Sequence, residues 1–128
     1  MGNGSTQAAL EARGLAKRYD SGGGVLEVFA DLDLELRAGE RVALTGESGT
    51  GKSTLLHLLG LLDEASTGGV WIQGRETAGL SEAALAGIRN REIGFVWQMS
   101  TLLKEFTALE NVIMPLLIRG MAKAEAEA

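Results

Sequence analysis

Cysteine is absent from the 128 residues, and proline and histidine each occur only once. Without cysteine the chain forms no disulfide and no thiolate zinc site, and it has no cysteine nucleophile. Scarce proline and the lack of a Gly-X-Y repeat exclude collagen-like and proline-rich linker sequence. No apolar run approaches the ~18 residues that a membrane-spanning helix needs. We therefore expect no spanning segment within this sequence.

Basic residues are also few, with 12 Lys and Arg against 17 Asp and Glu and a formal net charge of −5. Nucleic-acid binding needs a basic footprint, so we expect no nucleic-acid partner. A local anion site stays open, because one loop can present its own donors. Glycine, in contrast, occurs 18 times, about twice its usual ~7% share. This excess indicates tight turns and close backbone approaches.

Apolar periodicity predicts a mixed α/β domain over residues 9–128, preceded by a flexible tail at 1–8. Antiparallel strands come first, followed by a strand, a glycine-rich loop, a helix and further strands. Strands are predicted at 10–19, 25–30, 31–36, 41–45, 70–73 and 93–98, with a glycine turn at 21–24. A helix that should be buried all round is predicted at 52–62. A second is predicted from a Ser81 cap to Arg89. A third begins at a Thr107–Glu110 capping box and should kink or break at Pro115.

A nucleotide-binding motif follows the strand predicted at 41–45. Its sequence fits the Walker A pattern G-x-x-x-x-G-K-[ST], which a random chain of this composition contains about 1% of the time. The glycines allow the backbone amides to curl around phosphate oxygens, and the helix that follows adds its positive N-terminal end. The predicted nucleotide-binding residues are Gly46, Glu47, Ser48, Gly49, Thr50, Gly51, Lys52, Ser53 and Thr54.

Individual roles follow from the chemistry of these side chains. Lys52 places an ammonium on the outer phosphates, and the hydroxyl of Ser53 is the expected Mg²⁺ ligand. Glu47 puts a carboxylate at the mouth of an anion site, so we expect its side chain to point away. The motif predicts a nucleoside triphosphate site but does not separate transport ATPases from GTPases, kinases and helicases.

The flanking segments resemble the ATPase subunit of an ABC transporter. Leu-Ala-Lys-Arg-Tyr at 15–19 precedes the motif, and Ile-Gly-Phe-Val-Trp-Gln at 93–98 and Thr-Ala-Leu-Glu-Asn-Val at 107–112 follow it. The resemblance implies an α/β P-loop NTPase fold with an N-terminal antiparallel β subdomain, truncated within the helical subdomain. It also implies that Tyr19 stacks on adenine and that Gln98 contacts Mg²⁺ and the attacking water. Lys52 and Gln98 would then be the catalytic residues.

Within that family, residues 56–63 and 105–120 are similar to the LolD branch of the LolD/MacB/FtsE group of bacterial ATPases. The resemblance implies ATP and Mg²⁺ as cofactors, a homodimeric sandwich of ATP-binding subunits, and membrane-embedded permease partners. It places the protein peripherally at the cytoplasmic face of the inner membrane, in lipoprotein release. FtsE-like cell-division and MacB-like export ATPases are alternatives. A stand-alone P-loop kinase or GTPase would need an acceptor site or an N-K-x-D motif, and neither is present.

The family's signature motif, Walker B carboxylate and switch histidine do not occur within the 128 residues. We therefore expect that this 128-residue chain, purified alone, does not hydrolyse ATP and binds it weakly at most. Phosphate release from the chain and from its Lys52→Met variant tests this expectation. Turnover that depends on Lys52 would show it to be wrong.

Overall fold

A computed structural model of the chain describes residues 7–99 and 101–128. The chain divides into two compact units, the first ending at Leu80 and the second beginning at Ser81. Most of the tail predicted at 1–8 lies outside the described residues. At its end, the Gln7 side-chain amide donates to the carbonyl oxygen of Gln73 at 2.9 Å, and Ala8 is buried.

The described part of the first unit contains an antiparallel sheet of four strands, in the order β2-β1-β3-β4. The strands are β1 (Leu10–Ser21), β2 (Gly24–Leu36), β3 (Thr67–Ile72) and β4 (Arg75–Glu76). The predicted glycine turn joins β1 to β2, and the segments predicted at 25–30 and 31–36 form one strand. Between 31 and 36 the leucines are half-buried and the acidic residues exposed, as their alternation predicts.

A β-bulge interrupts the pairing of β1 with β2. Lys17 pairs with Phe29, whereas the next residue, Arg18, pairs with Glu27, so Val28 is an extra residue on β2. A bulge of this kind increases the local twist and changes the direction of the side chains around it. The bulge is therefore a place where another segment can approach the sheet.

The helix α1 (Lys52–Leu59) contacts β1 and buries one face. The buried apolar residues of this unit include Ala12, Leu15, Leu55, Leu58, Val70 and Ile72. Leu56 and Leu62 are exposed, so the prediction that the helical segment is buried all round is wrong. A stripe of about 100° is enough to cover one side of a sheet.

The helix predicted to reach residue 62 ends earlier, at a C-terminal Schellman turn. The amide of Leu62 donates to the carbonyl oxygen of His57 at 2.8 Å, and that of Leu61 to Leu58 at 3.0 Å. Leu61 takes the left-handed conformation, with φ 58°, at the position where glycine is usual. Apolar periodicity continues through this turn, which is why the sequence pattern overran the end of the helix.

Two predicted strands, at 41–45 and 93–98, are not formed in the described chain. Val42 and Leu44 in one segment and Val96 in the other are exposed. An apolar run becomes a strand only when a neighbour supplies hydrogen bonds to it. Each of the four strands described here pairs only with another of the four, and neither segment joins them.

The second unit contains the helices α2 (Glu82–Glu92), α3 (Ala108–Ile118) and α4 (Lys123–Ala126). The predicted caps are confirmed: Ser81 Oγ accepts from the amide of Ala84 at 3.3 Å, and Thr107 and Glu110 form a reciprocal capping box. The helix α3 continues through Pro115 for three residues, so of the predicted kink or break the break is wrong, and the kink stays a prediction. Among the described residues, no helix combines the length and apolarity needed to cross a membrane.

Candidate nucleotide-binding site

The phosphate loop (residues 46–54) leads from the exposed segment at 41–45 into α1. Gly49 and Gly51 both take left-handed conformations, with φ of 82° and 91°. Thr50 Oγ1 donates to the carbonyl oxygen of Glu47 at 2.8 Å, which closes the turn. Alternating conformations of this kind point successive amides toward one side, which produces a concave anion-binding nest.

The N-terminus of α1 adds further donors to the loop. The amide of Leu55 donates to the carbonyl oxygen of Gly51 at 2.9 Å, and the N-cap residue Gly51 provides no capping side chain. The amides of the first helical turn, including Lys52 and Ser53, have no acceptor within the helix and carry the positive end of its dipole. The exposed side chain of Ser53 lies in this first turn.

Lys52 folds back over the beginning of the loop. Its Nζ donates to the carbonyl oxygen of Gly46 at 2.8 Å and to that of Glu47, and it lies 3.4 Å from Thr50 Oγ1. A Cβ at Gly46 would lie 3.0 Å from Thr50 Oγ1 and 3.8 Å from Lys52 Cδ. Glycine at 46 therefore leaves room chiefly for the hydroxyl of Thr50, because the lysine atoms would lie at ordinary van der Waals distance from such a Cβ.

Gly51 packs directly against the bulge in β2. A Cβ at this position would lie 2.5 Å from Cγ1 of Val28 and 3.5 Å from Cδ1 of Phe29. Both the left-handed φ and this close approach require glycine here. The sequence motif explains the glycine by its conformation and gives no signal that Val28 is its neighbour.

Tyr19, predicted as the base-stacking residue, lies near the end of β1 and pairs with Leu26 on β2. Val28, which the phosphate loop approaches, lies two residues along β2 from this partner of Tyr19. Tyr19 is 41% exposed. Lys17 Nζ lies 4.8 Å from the centre of its ring, and its hydroxyl donates to Oδ2 of Asp63 at 3.2 Å. The first unit thus brings Tyr19 and the phosphate loop to neighbouring parts of the sheet.

Gln98, the other residue assigned by resemblance, lies in the second unit in a bend and is exposed. Its contact with Mg²⁺ and water stays a prediction, as does the outward direction of the Glu47 side chain. Among the described residues, no three His, Asp or Glu side chains cluster as a protein-only metal site.

Asp63 is a residue that sequence reasoning missed, because its partners Lys17 and Tyr19 lie 46 and 44 residues away along the chain.

Comparison with known sequences identifies relatives over most of the chain. A family profile described as "ABC transporter" matches residues 29–128. The lipoprotein-releasing system ATP-binding protein LolD of Bordetella avium (strain 197N) is 51% identical over 95% of this chain and 53% of its own length. LolD of Pseudomonas syringae pv. tomato is 54% identical over 95% of this chain and 54% of its own length. The chain spans about half the length of the curated relatives it matches.

Solved structures support the same fold. A dimeric bacterial ABC transporter cassette matches with a TM-score of 0.85 and 35% identity, covering 92% of this chain and 52% of that chain. A dimeric post-hydrolysis state of an ATP-binding cassette, bound to ADP and Pi, matches with a TM-score of 0.84 at the same identity and coverage. The predicted ATPase fold is therefore confirmed.

The packing of Gly51 on Val28 predicts how the loop tolerates substitution. Gly51→Ala should lower the melting temperature more than Gly49→Ala. Both variants place alanine in a left-handed conformation, at a cost of about 1–2 kcal/mol, but a Cβ at Gly49 meets open space. Thermal unfolding of both variants measures the difference. Equal losses would contradict the contact with Val28.

Proposed function

Because this chain belongs to the ABC transporter family, we propose that its phosphate loop binds ATP together with Mg²⁺. We further propose that the protein uses ATP hydrolysis to drive lipoprotein release from a bacterial inner membrane. The observation that supports ATP binding is the joint position of Lys52, the left-handed glycines and the first turn of α1, whose amides have no acceptor within the helix. Together they concentrate positive charge and amide donors at one concave surface.

The loop positions the ammonium of Lys52 to bind an outer phosphate. An ammonium has three donor protons, and the carbonyl oxygens of Gly46 and Glu47 orient two of them. The remaining contact, to Thr50 Oγ1, is long at 3.4 Å, so a phosphate oxygen can replace it. In this geometry Lys52 stabilises the charge that develops as the terminal phosphoryl group leaves.

Ser53 fits the chemistry of a magnesium site. Mg²⁺ prefers hard oxygen ligands and keeps several waters, so one hydroxyl and the phosphate oxygens are sufficient partners. Ser53 is an exposed residue in the first turn of α1 and directly follows Lys52. When bound, Mg²⁺ neutralises charge on the phosphate oxygens. We propose that Gln98 supplies a second oxygen ligand and orients the attacking water.

Tyr19 supplies an aromatic platform for the base. Its ring is partly exposed, and stacking holds a base by its π-face without reading its hydrogen-bonding edge. Its position beside the bulge supports one continuous site, with the base at Tyr19 and the phosphates at the loop.

The cargo and the partners follow from the relatives. The curated relatives described above are named for a lipoprotein-releasing system, and the matching solved cassettes are dimers. We propose that the protein acts as a homodimer bound to membrane-embedded permease subunits at the cytoplasmic face of the inner membrane. Identities above 50% with such proteins favour this assignment over FtsE-like or MacB-like roles.

Substitution of Lys52 tests nucleotide binding. In the full-length protein that carries this sequence, Lys52→Met should weaken MgATP binding about tenfold or more, because a charge-assisted contact to phosphate is lost. Lys104→Met is the matched control, since it removes the same charge from an exposed turn outside the loop. Calorimetric titration with MgATP measures both variants. Unchanged affinity in Lys52→Met would contradict the proposal.

Co-purification tests the proposed partner. When the tagged full-length protein is extracted from membranes with mild detergent, it should bring down a lipoprotein-releasing permease. Recovery with a division-site membrane protein would instead support an FtsE-like role, and recovery with an export permease a MacB-like one. Mass spectrometry of the recovered membrane proteins distinguishes the three outcomes.

A further inference from the structure

Lys17 places an ammonium group inside the first unit. The residue is only 8% exposed, and its Nζ donates to Oδ1 of Asp63 at 2.8 Å and to the carbonyl oxygen of Glu64 at 2.7 Å. A buried cation requires such partners, because removal from water penalises an unpaired charge. The hydrogen bond from Lys17 lowers the pKa of Asp63 below its usual range, so the carboxylate is charged at neutral pH.

The same ion pair restrains the ring of Tyr19 at two points. The ammonium lies over the ring, 4.8 Å from its centre, in the range of a cation–π contact. Asp63 Oδ2 accepts the hydrogen bond of the tyrosine hydroxyl at 3.2 Å. The contact with Lys17 restricts the plane of the ring, and the hydrogen bond to Asp63 fixes the position of the hydroxyl. A ring held in this way has less rotamer freedom to lose when a base stacks on it.

Asp63 is itself held by the end of α1. It follows the Schellman turn directly, and its Oδ1 accepts from the amide of Glu64 at 2.8 Å. Ser66 continues the attachment to β1, because its amide donates to Ala16 and its hydroxyl accepts from the amide of Arg18, both at 2.9 Å. The helix α1 therefore connects two parts of the site. Its first turn follows the phosphate loop, and Asp63, just beyond its last turn, accepts the hydrogen bond of Tyr19.

We propose that Asp63 is a positioning residue for the nucleotide base: it holds Lys17 and the hydroxyl of Tyr19 so that the ring is preorganised for stacking. This inference rests on the proposed ATP site. It predicts that Asp63 affects ligands that carry a base and not ligands that consist of phosphates alone. A residue that merely stabilises the unit would affect both ligands alike.

The test compares MgATP with inorganic triphosphate in the full-length protein. Asp63→Asn should weaken MgATP binding about three- to tenfold, the size expected for a weakened cation–π contact and a weakened hydrogen bond, and leave triphosphate binding unchanged. Glu64→Gln is the matched control: it removes an adjacent carboxylate, but only the backbone of Glu64 takes part in the network. We expect it to change neither affinity. Calorimetric titration measures all four values.

A second variant decides the question if Asp63→Asn does not fold. Tyr19→Phe keeps the aromatic ring and removes only the hydroxyl that Asp63 accepts from. It should weaken MgATP binding by a smaller factor than Asp63→Asn, with triphosphate binding again unchanged. Equal weakening of both ligands, or unchanged MgATP affinity in both variants, would overturn the inference.

The proposed function and this inference fail in different ways. If Lys52→Met leaves MgATP binding intact, the proposed phosphate site is wrong and the inference falls with it. If binding depends on Lys52 but not on Asp63 or the tyrosine hydroxyl, the phosphate site stands and only the positioning role is excluded.

Discussion

The close approach of the Gly51 backbone to Val28 determines where the phosphate loop lies on the sheet. The bulge at Val28 separates the pairs that Lys17 and Arg18 make with β2, so the loop meets the sheet beside the strand segment that carries Lys17 and Tyr19. The helix α1 begins at that contact, directly after the phosphate loop. The positions of Lys52 and Ser53 in its first turn, and of Asp63 beyond its end, therefore depend on this contact.

Local charge in this molecule differs from its overall charge. The net charge of −5 is unfavourable for phosphate, yet the loop offers an ammonium and a helix N-terminus within a few residues. Lys17, a further cation near the site, is neutralised by Asp63 at 2.8 Å and is mostly removed from solvent. Its charge therefore serves the structure of the unit, whereas the ammonium of Lys52 donates to the neutral carbonyl oxygens of Gly46 and Glu47.

Features encoded within a few residues could be predicted from the sequence. Neighbours in the chain determine three of them: the phosphate loop, the Ser81 cap and the Thr107 capping box. The hairpin of β1 and β2 depends in the same way on the glycine turn between them. The strands predicted at 41–45 and 93–98 were wrong because strand formation needs a distant partner, which periodicity does not reveal.

The same limit applies to the site. Lys52 and the glycines follow from a motif, whereas the ion pair between Lys17 and Asp63 joins residues 46 positions apart. The packing of Val28 on Gly51 is likewise invisible, because nothing about an isolated valine in a strand indicates a bulge. Resemblance supplied the roles of Tyr19 and Gln98, which spacing alone does not predict.

Left-handed residues bound α1 on both sides, Gly51 before it and Leu61 after its cap. The helix therefore has a fixed length of eight residues, about 12 Å at 1.5 Å per residue. Insertion or deletion of a single residue would rotate everything beyond it by about 100° and carry Asp63 away from β1. Substitutions at the exposed Leu56 of this helix are compatible with the site, but changes in the length of the helix are not.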